Sequence, residues 1–233
     1  MLTVILHHPQ MGENIGAAAR AMMNFGLSDL RLVAPRDGWP NERAQAMSSG
    51  ALDAMSSVQV FSTLPEALAD LQFVLATTAR PRDIVKPIFS PETAAQEISR
   101  RAGQSIGLLF GAERTGLLND DIALAHGIIT IPTNPDFPAL NLAQSVLLMA
   151  HELSKLENTP SSSKQDNPPA PHAELENFLT RLETELEETQ AFFRSPAMAP
   201  TMKRNLRAIF TRSDLTAQEL KTLHGVLTAL RSK

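Results

Sequence analysis

Apolar and polar positions in the first two thirds of the chain switch repeatedly between two periods. Short aliphatic runs read as strands at residues 3–6, 30–34, 58–61, 73–77, 106–110 and 128–131. Helical signals fall between them. Residues 14–25 form one, with Asn14 as N-cap and Gly26 as a left-handed stop. Thr63 and Glu66 make a capping box with Pro65 inside the first turn. Ser90-Pro91-Glu92 opens another helix, and a long one runs from Leu140 to about Leu156. Strands alternating with helices are βαβ units, whose crossovers cover both faces of a parallel sheet. A ligand of such a sheet sits beyond the carboxyl ends of its strands, at a switch point. The loops after Thr77, Phe110 and Ile131 are therefore the expected site.

The pattern breaks at residues 157–172, ENTPSSSKQDNPPAPH, where proline and serine replace apolar residues. This reads as a linker between a unit of residues 1–156 and a helical extension of residues 173–233. In the extension Leu175, Phe178, Leu179, Leu182, Leu186 and Phe193 recur at helical spacing. Met202, Leu206 and Ile209 repeat the pattern, and a Thr216/Glu219 capping box precedes Leu220, Leu223, Leu227 and Leu230. So small a bundle is marginal alone. It is expected to pack on the first unit or on a second chain. No internal repeat is visible.

Composition narrows the chemistry. The chain has 233 residues, 43% hydrophobic, enough for a sizeable core. It has no cysteine, which excludes disulfide scaffolds, thiolate metal sites and cysteine nucleophiles. No apolar run approaches the ~18 residues of a membrane span, and MLTVILHHPQ lacks the basic region of a signal peptide, so the expected location is cytoplasmic. The net charge of −4 excludes a globally basic nucleic-acid trap, and the absence of tyrosine argues against a base-stacking platform. Any nucleic-acid contact is local. The last 43 residues hold eight basic side chains against two acidic, a run that reads either as a substrate-facing patch or as a solvated helix face.

No phosphate-binding P-loop, dinucleotide glycine fingerprint or G-x-S-x-G elbow is present. His7 and His8 are adjacent on a strand and face opposite sides, a poor metal pair, and the other histidines read as core or surface residues. No metal is expected. Three stretches stand out. The first is Gly12-Glu13-Asn14-Ile15-Gly16-Ala17-Ala18-Ala19-Arg20. Its small residues allow close backbone approach, and Arg20 lies about 140° around the helix from Ile15, off the apolar stripe. The second is Phe110-Gly111-Ala112-Glu113-Arg114-Thr115-Gly116-Leu117, directly after a buried strand. Its Glu113–Arg114 step reads as a ligand-edge pair or an internal ion pair. The third, residues 131–145, has a proline-stiffened loop before Asn141 and Gln144, which read as ligand contacts or as a helix cap.

In this order the three stretches resemble the motifs of the SpoU/TrmH family of SPOUT RNA ribose methyltransferases: E-N-I-G-A-A-A-R, L-F-G-A-E-R-T-G-L and I-P-T-N-P-x-F-x-A-L-N-L-A-Q-S. The tail F-F-R-S-P-A-M-A-P-T-M-K-R-N-L-R-A-I-F-T-R-S-D-L resembles that of the TrmJ-type branch, which methylates the ribose of C or U at the start of the tRNA anticodon loop. The resemblance implies an α/β fold with a trefoil knot, an exception to the general absence of knots. It implies S-adenosylmethionine (AdoMet) as cofactor and a homodimer with its site across the interface. Cofactor contacts then fall on Thr77, Thr78, Ala79, Gly111, Ile131, Pro138, Ala139 and Leu140. Arg20 is the implied catalytic residue, with Asn14, Glu113 and Asn141 shaping the site. Arg80, Arg82, Lys203, Arg204 and Arg207 would face RNA. The family serine before L-N is Ala139 here, so a hydroxyl is missing from the site, and Phe137 stands where relatives can carry tyrosine. The rival readings are a ribosomal RNA or another tRNA position, an RNA or AdoMet binder without catalysis, and a nucleotide-dependent oxidoreductase, the last disfavoured by the missing glycine fingerprint.

Overall fold

A computed structural model describes residues 1–79, 84–156, 168–188, 192, 193, 195 and 197–231. Its centre is a seven-stranded sheet in the order β3-β2-β1-β6-β4-β7-β5, with every pair parallel. The strands are β1 (Leu2–His7), β2 (Asp29–Val33), β3 (Ser57–Phe61), β4 (Phe73–Thr77), β5 (Ile88–Phe89), β6 (Ile106–Phe110) and β7 (Gly127–Ile129). Six lie where the apolar runs placed them. The two-residue β5 is too short to carry a periodic signal, and β7 ends two residues early.

Both faces are buried, as parallel pairing requires. One face sets Val4, Leu6, Leu30, Leu75, Leu108 and Phe110 against α1 (Gly12–Asn24), α5 (Pro91–Arg100) and α7 (Leu142–Ser154). The other sets Ile5, Val33, Val74 and Leu109 against α4 (Leu64–Leu68) and α6 (Asn119–Ala123). The helix stops and starts follow the sequence rules. Gly26 adopts φ 77°, and the amides of Gly26 and Leu27 bond back to Met23 O and Met22 O, closing α1 in a Schellman motif. Ser90 and Thr93 cap α5.

Two expectations about α1 and its surroundings change. The helix begins at Gly12, with Met11 in the capping position, so Asn14 is a first-turn residue whose side chain is free for another use. Two short helices, α2 (Glu42–Ser48) and α3 (Ala51–Ala54), were not legible, because they are too short to build an apolar stripe. α2 explains the small residues of α1: a Cβ on Gly16 would lie 2.1 Å from Ala44 O. His8 also departs from the strand reading. It takes φ 51°, and its ring centroid lies 4.2 Å from that of His7 instead of across the sheet.

The helical extension comprises α8 (His172–Glu188), α9 (Ala199–Thr211) and α10 (Ala217–Arg231). Leu175, Phe178, Leu179 and Leu220 form its core, with the Phe210 ring edge-on to Phe178 at 5.1 Å. Ile209 and Leu230 are exposed, against the helical-stripe reading. α9 instead turns the small residues Ala208 and Thr211 inward, because that face packs on α6 and Ala208 joins the core of the sheet. The bundle therefore docks on the first unit. Residues 157–167 of the linker reading lie outside the described residues, and its last part is not a free spacer. Pro169 O accepts from Gln72 Nε2 at 2.7 Å, Ala170 N donates to Leu215 O, and His172 N donates to Leu71 O at 2.6 Å.

Three buried basic side chains, Lys86, His126 and His172, lie near this seam. Lys86 Nζ donates to the carbonyls of Ala123 and Ala125 and to Thr211 Oγ1. Burial, with the nearby charge of Arg212, pushes its ammonium down to about 7. Burial holds His126 well below the usual histidine value and lowers His172 against its bond to Leu124 O; both feel the Lys86 charge. His126 Nδ1 accepts from Val74 N at 3.0 Å, as a neutral ring does. Each folded group holds its proton less tightly than the unfolded chain does, so stability rises with pH. The histidine contribution is complete above about pH 6.5 and is lost as pH falls. The lysine penalty is relieved as pH climbs from about 7 towards 10.5. The chain contains no cysteine or tyrosine to titrate in that alkaline window. Thermal unfolding should show both rises, and Lys86→Met should remove the alkaline one alone.

Candidate active site

β6, β4 and β7 are neighbours, so the loops leaving their carboxyl ends converge. A pocket opens there, as the switch-point argument requires. All eight expected cofactor residues line it: Thr77, Thr78 and Ala79 after β4, Gly111 after β6, and Ile131, Pro138, Ala139 and Leu140 after β7. Glu113, Arg114, Thr115 and Gly116 line it from the β6 loop, and Leu142 and Ser145 from the first turn of α7. All six lie inside the second and third stretches, although only Glu113 and Arg114 carry a ligand reading in the sequence.

Local chemistry shapes the pocket. Thr77 Oγ1 donates to Leu109 O at 3.0 Å and Thr78 N to Ile129 O at 3.0 Å, tying the β4 end to both neighbours. The β6 loop folds back on itself: Gly116 N donates to Ala112 O at 2.7 Å, with Gly116 at φ 64°. Gly111 lies against that turn, and a Cβ on it would stand 2.4 Å from Gly116 C and Leu117 N. In the β7 loop Asn134 turns the chain, accepting from Asp136 N at its side chain and from Phe137 N at its carbonyl. The Phe137 ring is 78% exposed beside the pocket rim.

The three motifs meet through hydrogen bonds. Glu113 accepts from Gln10 N at 2.8 Å, Met11 N at 3.3 Å and Asn14 Nδ2 at 2.7 Å. Its carboxylate thus sits at the positive end of α1 and is not closed off as a pair with Arg114. Asn14 Oδ1 accepts from Asn141 Nδ2 at 2.9 Å. Asn141 is at the same time the N-cap of α7: its Oδ1 accepts from Ala143 N at 2.9 Å, and its own N–H meets Gln144 Oε1 at 3.1 Å. The capping and ligand readings of Asn141 are therefore compatible, and Asn14, Glu113 and Asn141 form one rigid chain beside the pocket.

Arg20 is not part of this chain. Six residues beyond Asn14 it lies about 9 Å further along α1, on another face. It is exposed and donates to Ser49 Oγ at 3.1 Å, at the C-terminal end of α2, and it does not line the pocket. Of the expected RNA contacts, Arg80 and Arg82 lie outside the described residues. Lys203 pairs with Glu187 at 2.5 Å and Arg204 with Asp120 at 3.2 Å. Arg207 is turned inward, between Glu176 and Glu183 at 2.6 Å each, so its charge is spent holding α9 to α8.

A parallel sheet with a part-open pocket over three adjacent strand ends, rimmed by polar side chains from separate motifs, is the architecture of an α/β enzyme with its site at the strand ends. The SpoU rRNA Methylase family model matches residues 1–151, and the chain belongs to that family. The tRNA (cytidine/uridine-2'-O-)-methyltransferase TrmJ of Yersinia pestis (strain Pestoides F) is 34% identical over 100% of this chain and 92% of its own. The crystal structure of TrmJ from Z. mobilis ZM4 is 49% identical, with a TM-score of 0.90 over 99% of both chains. The SpoU methyltransferase AviRb from Streptomyces viridochromogenes, in complex with AdoMet, shares the fold at a TM-score of 0.58 and 17% identity over 68% of this chain and 58% of its own.

Proposed function

We propose that this protein transfers a methyl group from AdoMet to the ribose 2'-OH of C or U at the start of the tRNA anticodon loop. The observation that carries the reading is the union of the three motifs around one pocket, in a chain similar along its whole length to enzymes named for this reaction. The pocket suits the cofactor. Ile131, Pro138, Leu140 and Leu142 offer apolar walls for a purine, and Thr115, Ser145 and Glu113 supply polar contacts. When bound, AdoMet supplies an electrophilic methyl on a sulfonium.

The protein's own part is alignment and charge. Asn14 and Asn141 hold Glu113 and the start of α7 in register at the pocket mouth. An alcohol is a weak nucleophile, so its oxygen needs charge stabilisation or a base. A guanidinium gives up its proton reluctantly, and we assign Arg20 to the target phosphate and to charge developing on the 2'-oxygen. Because Arg20 lies outside its own pocket, it would serve the pocket of a second copy. Exposed apolar residues on the helices that pack against α1, Met47 on α2 and Leu147 and Leu148 on α7, fit a homodimer interface there. We infer further that residues 1–156 are the catalytic unit, carrying a trefoil knot, that residues 157–172 connect it to the helical extension, and that the enzyme works in the cytoplasm. Arg80, Arg82, Lys203 and Arg204 would meet RNA phosphate, with Arg207 left as a structural ion pair. No helix among the described residues is long and apolar enough to cross a membrane.

Transfer of labelled methyl from AdoMet to unmodified tRNA transcripts, with the methylated ribose mapped, tests this reading. One ribose methyl at the first anticodon-loop nucleotide is the expected result, and it would show that Ala139 suffices where the family has serine. Methylation of ribosomal RNA alone would move the substrate. AdoMet binding without transfer to either RNA would make this chain a binder.

A further inference from the structure

The loop that leaves β4 has two arms. The first, Thr78 and Ala79, lines the cofactor pocket. The second, residues 84–87, leads into β5 and alternates, with Ile84 and Lys86 buried and Val85 and Pro87 exposed. Ile84 packs in the apolar cluster that also receives Ala208 of α9, and Ile128 N donates to Pro87 O at 2.8 Å. Between them lies Lys86, 7% exposed. An ammonium has three N–H donors, and Lys86 places all three: on Ala123 O at 2.9 Å, on Ala125 O, and on Thr211 Oγ1 at 2.9 Å. Two acceptors belong to the α6–β7 junction, and β7 forms the next wall of the pocket. The third is at the end of α9, in the helical extension. Thr211 is itself buried and oriented, donating to Arg207 O at 2.6 Å.

A lysine in such a place is costly as a mere filler, since desolvation opposes its charge and an apolar side chain of equal length would pack as well. What it does that an apolar side chain cannot is join three separate elements by directional bonds. We propose that Lys86 is a positioning residue for the AdoMet pocket: it ties the α6–β7 junction, whose strand walls the pocket, and the approach to β5 to α9, so that cofactor affinity depends on how the helical extension is docked. The inference rests on the AdoMet reading above. It adds that the extension acts on the cofactor site as well as on RNA.

The test compares AdoMet binding by calorimetry with thermal stability, in the full-length protein without RNA. Lys86→Met keeps length and removes the bonds. Thr211→Val leaves Lys86 in place and removes the hydroxyl that accepts from it, together with that hydroxyl's own bond to Arg207 O, at a residue remote from the pocket. Both variants should weaken AdoMet binding by roughly five-fold or more, the scale of ordinary coupling between sites. Lys86→Met should do so with thermal stability unchanged or raised. Thr211→Ser, which keeps the hydroxyl, should bind like the wild type. In the double variant the Thr211 change should add nothing further. Affinity within two-fold of wild type in Thr211→Val would overturn the coupling, whether or not Lys86→Met folds. Failure of the wild type itself to bind AdoMet would instead count against the cofactor reading.

Discussion

Replacing Arg20 with alanine should lower methyl transfer by about a hundred- to a thousand-fold, the usual cost of deleting one charge-stabilising donor. AdoMet affinity should stay at the wild-type value, because Arg20 lies outside the pocket and is bonded to Ser49. Isotope transfer assays and calorimetry on one preparation separate the two quantities. Activity near wild type would remove Arg20 from the mechanism. The same variant tests the shared site. Mixed with a variant disabled only in its pocket, Arg20→Ala should regain activity, since one pocket of each heterodimer then receives an intact arginine from its neighbour. Random pairing gives about a quarter of the wild-type rate under a two-fold symmetric arrangement. If Arg20 serves its own pocket, nothing returns.

Gly111→Ala is the pocket-disabled partner and the second large effect. The added methyl meets backbone rather than a yielding side chain, 2.4 Å from both Gly116 C and Leu117 N. The β6 loop must then open, and the Ala112–Gly116 bridge that folds it over the pocket is lost. Overpacking of this kind costs about 1–3 kcal/mol. Taken from the bound conformation of the loop, that is about a 5- to 150-fold loss of AdoMet affinity. Gly111 lies one residue past the end of β6 and takes no part in its strand pairing, so circular dichroism should be retained. Undiminished binding would mean that the β6 loop does not shape the cofactor pocket.

How much of this was legible in the residues differs by element. Strands β1, β2, β4 and β6 announce themselves because parallel strands buried on both faces must be apolar throughout. The pocket residues were legible for a related reason. Strand ends followed by glycine, proline and small polar residues are the one place where a packed sheet exposes backbone to a ligand. Asn141 was legible as a cap, and its bond to Asn14, 127 positions away, was not. Arg207 shows the converse. Its charge suggested a partner outside the molecule, yet Glu176 and Glu183 on a neighbouring helix face it.

The residues read along the chain carry the alternation of strands and helices, most of the caps that bound them, the break before the extension and the three motifs that mark the cofactor edge. These are local properties, set by side-chain period, backbone freedom and hydrogen-bond capacity within a few residues. Folding in three dimensions sets which strands are neighbours, that Glu113, Asn14 and Asn141 form one chain, that Arg20 stands apart from its own pocket, and that Lys86 joins the α6–β7 junction to α9. Those facts depend on contacts between residues tens to more than a hundred positions apart. No local propensity encodes such contacts, because their geometry exists only once the sheet has brought its strand ends together.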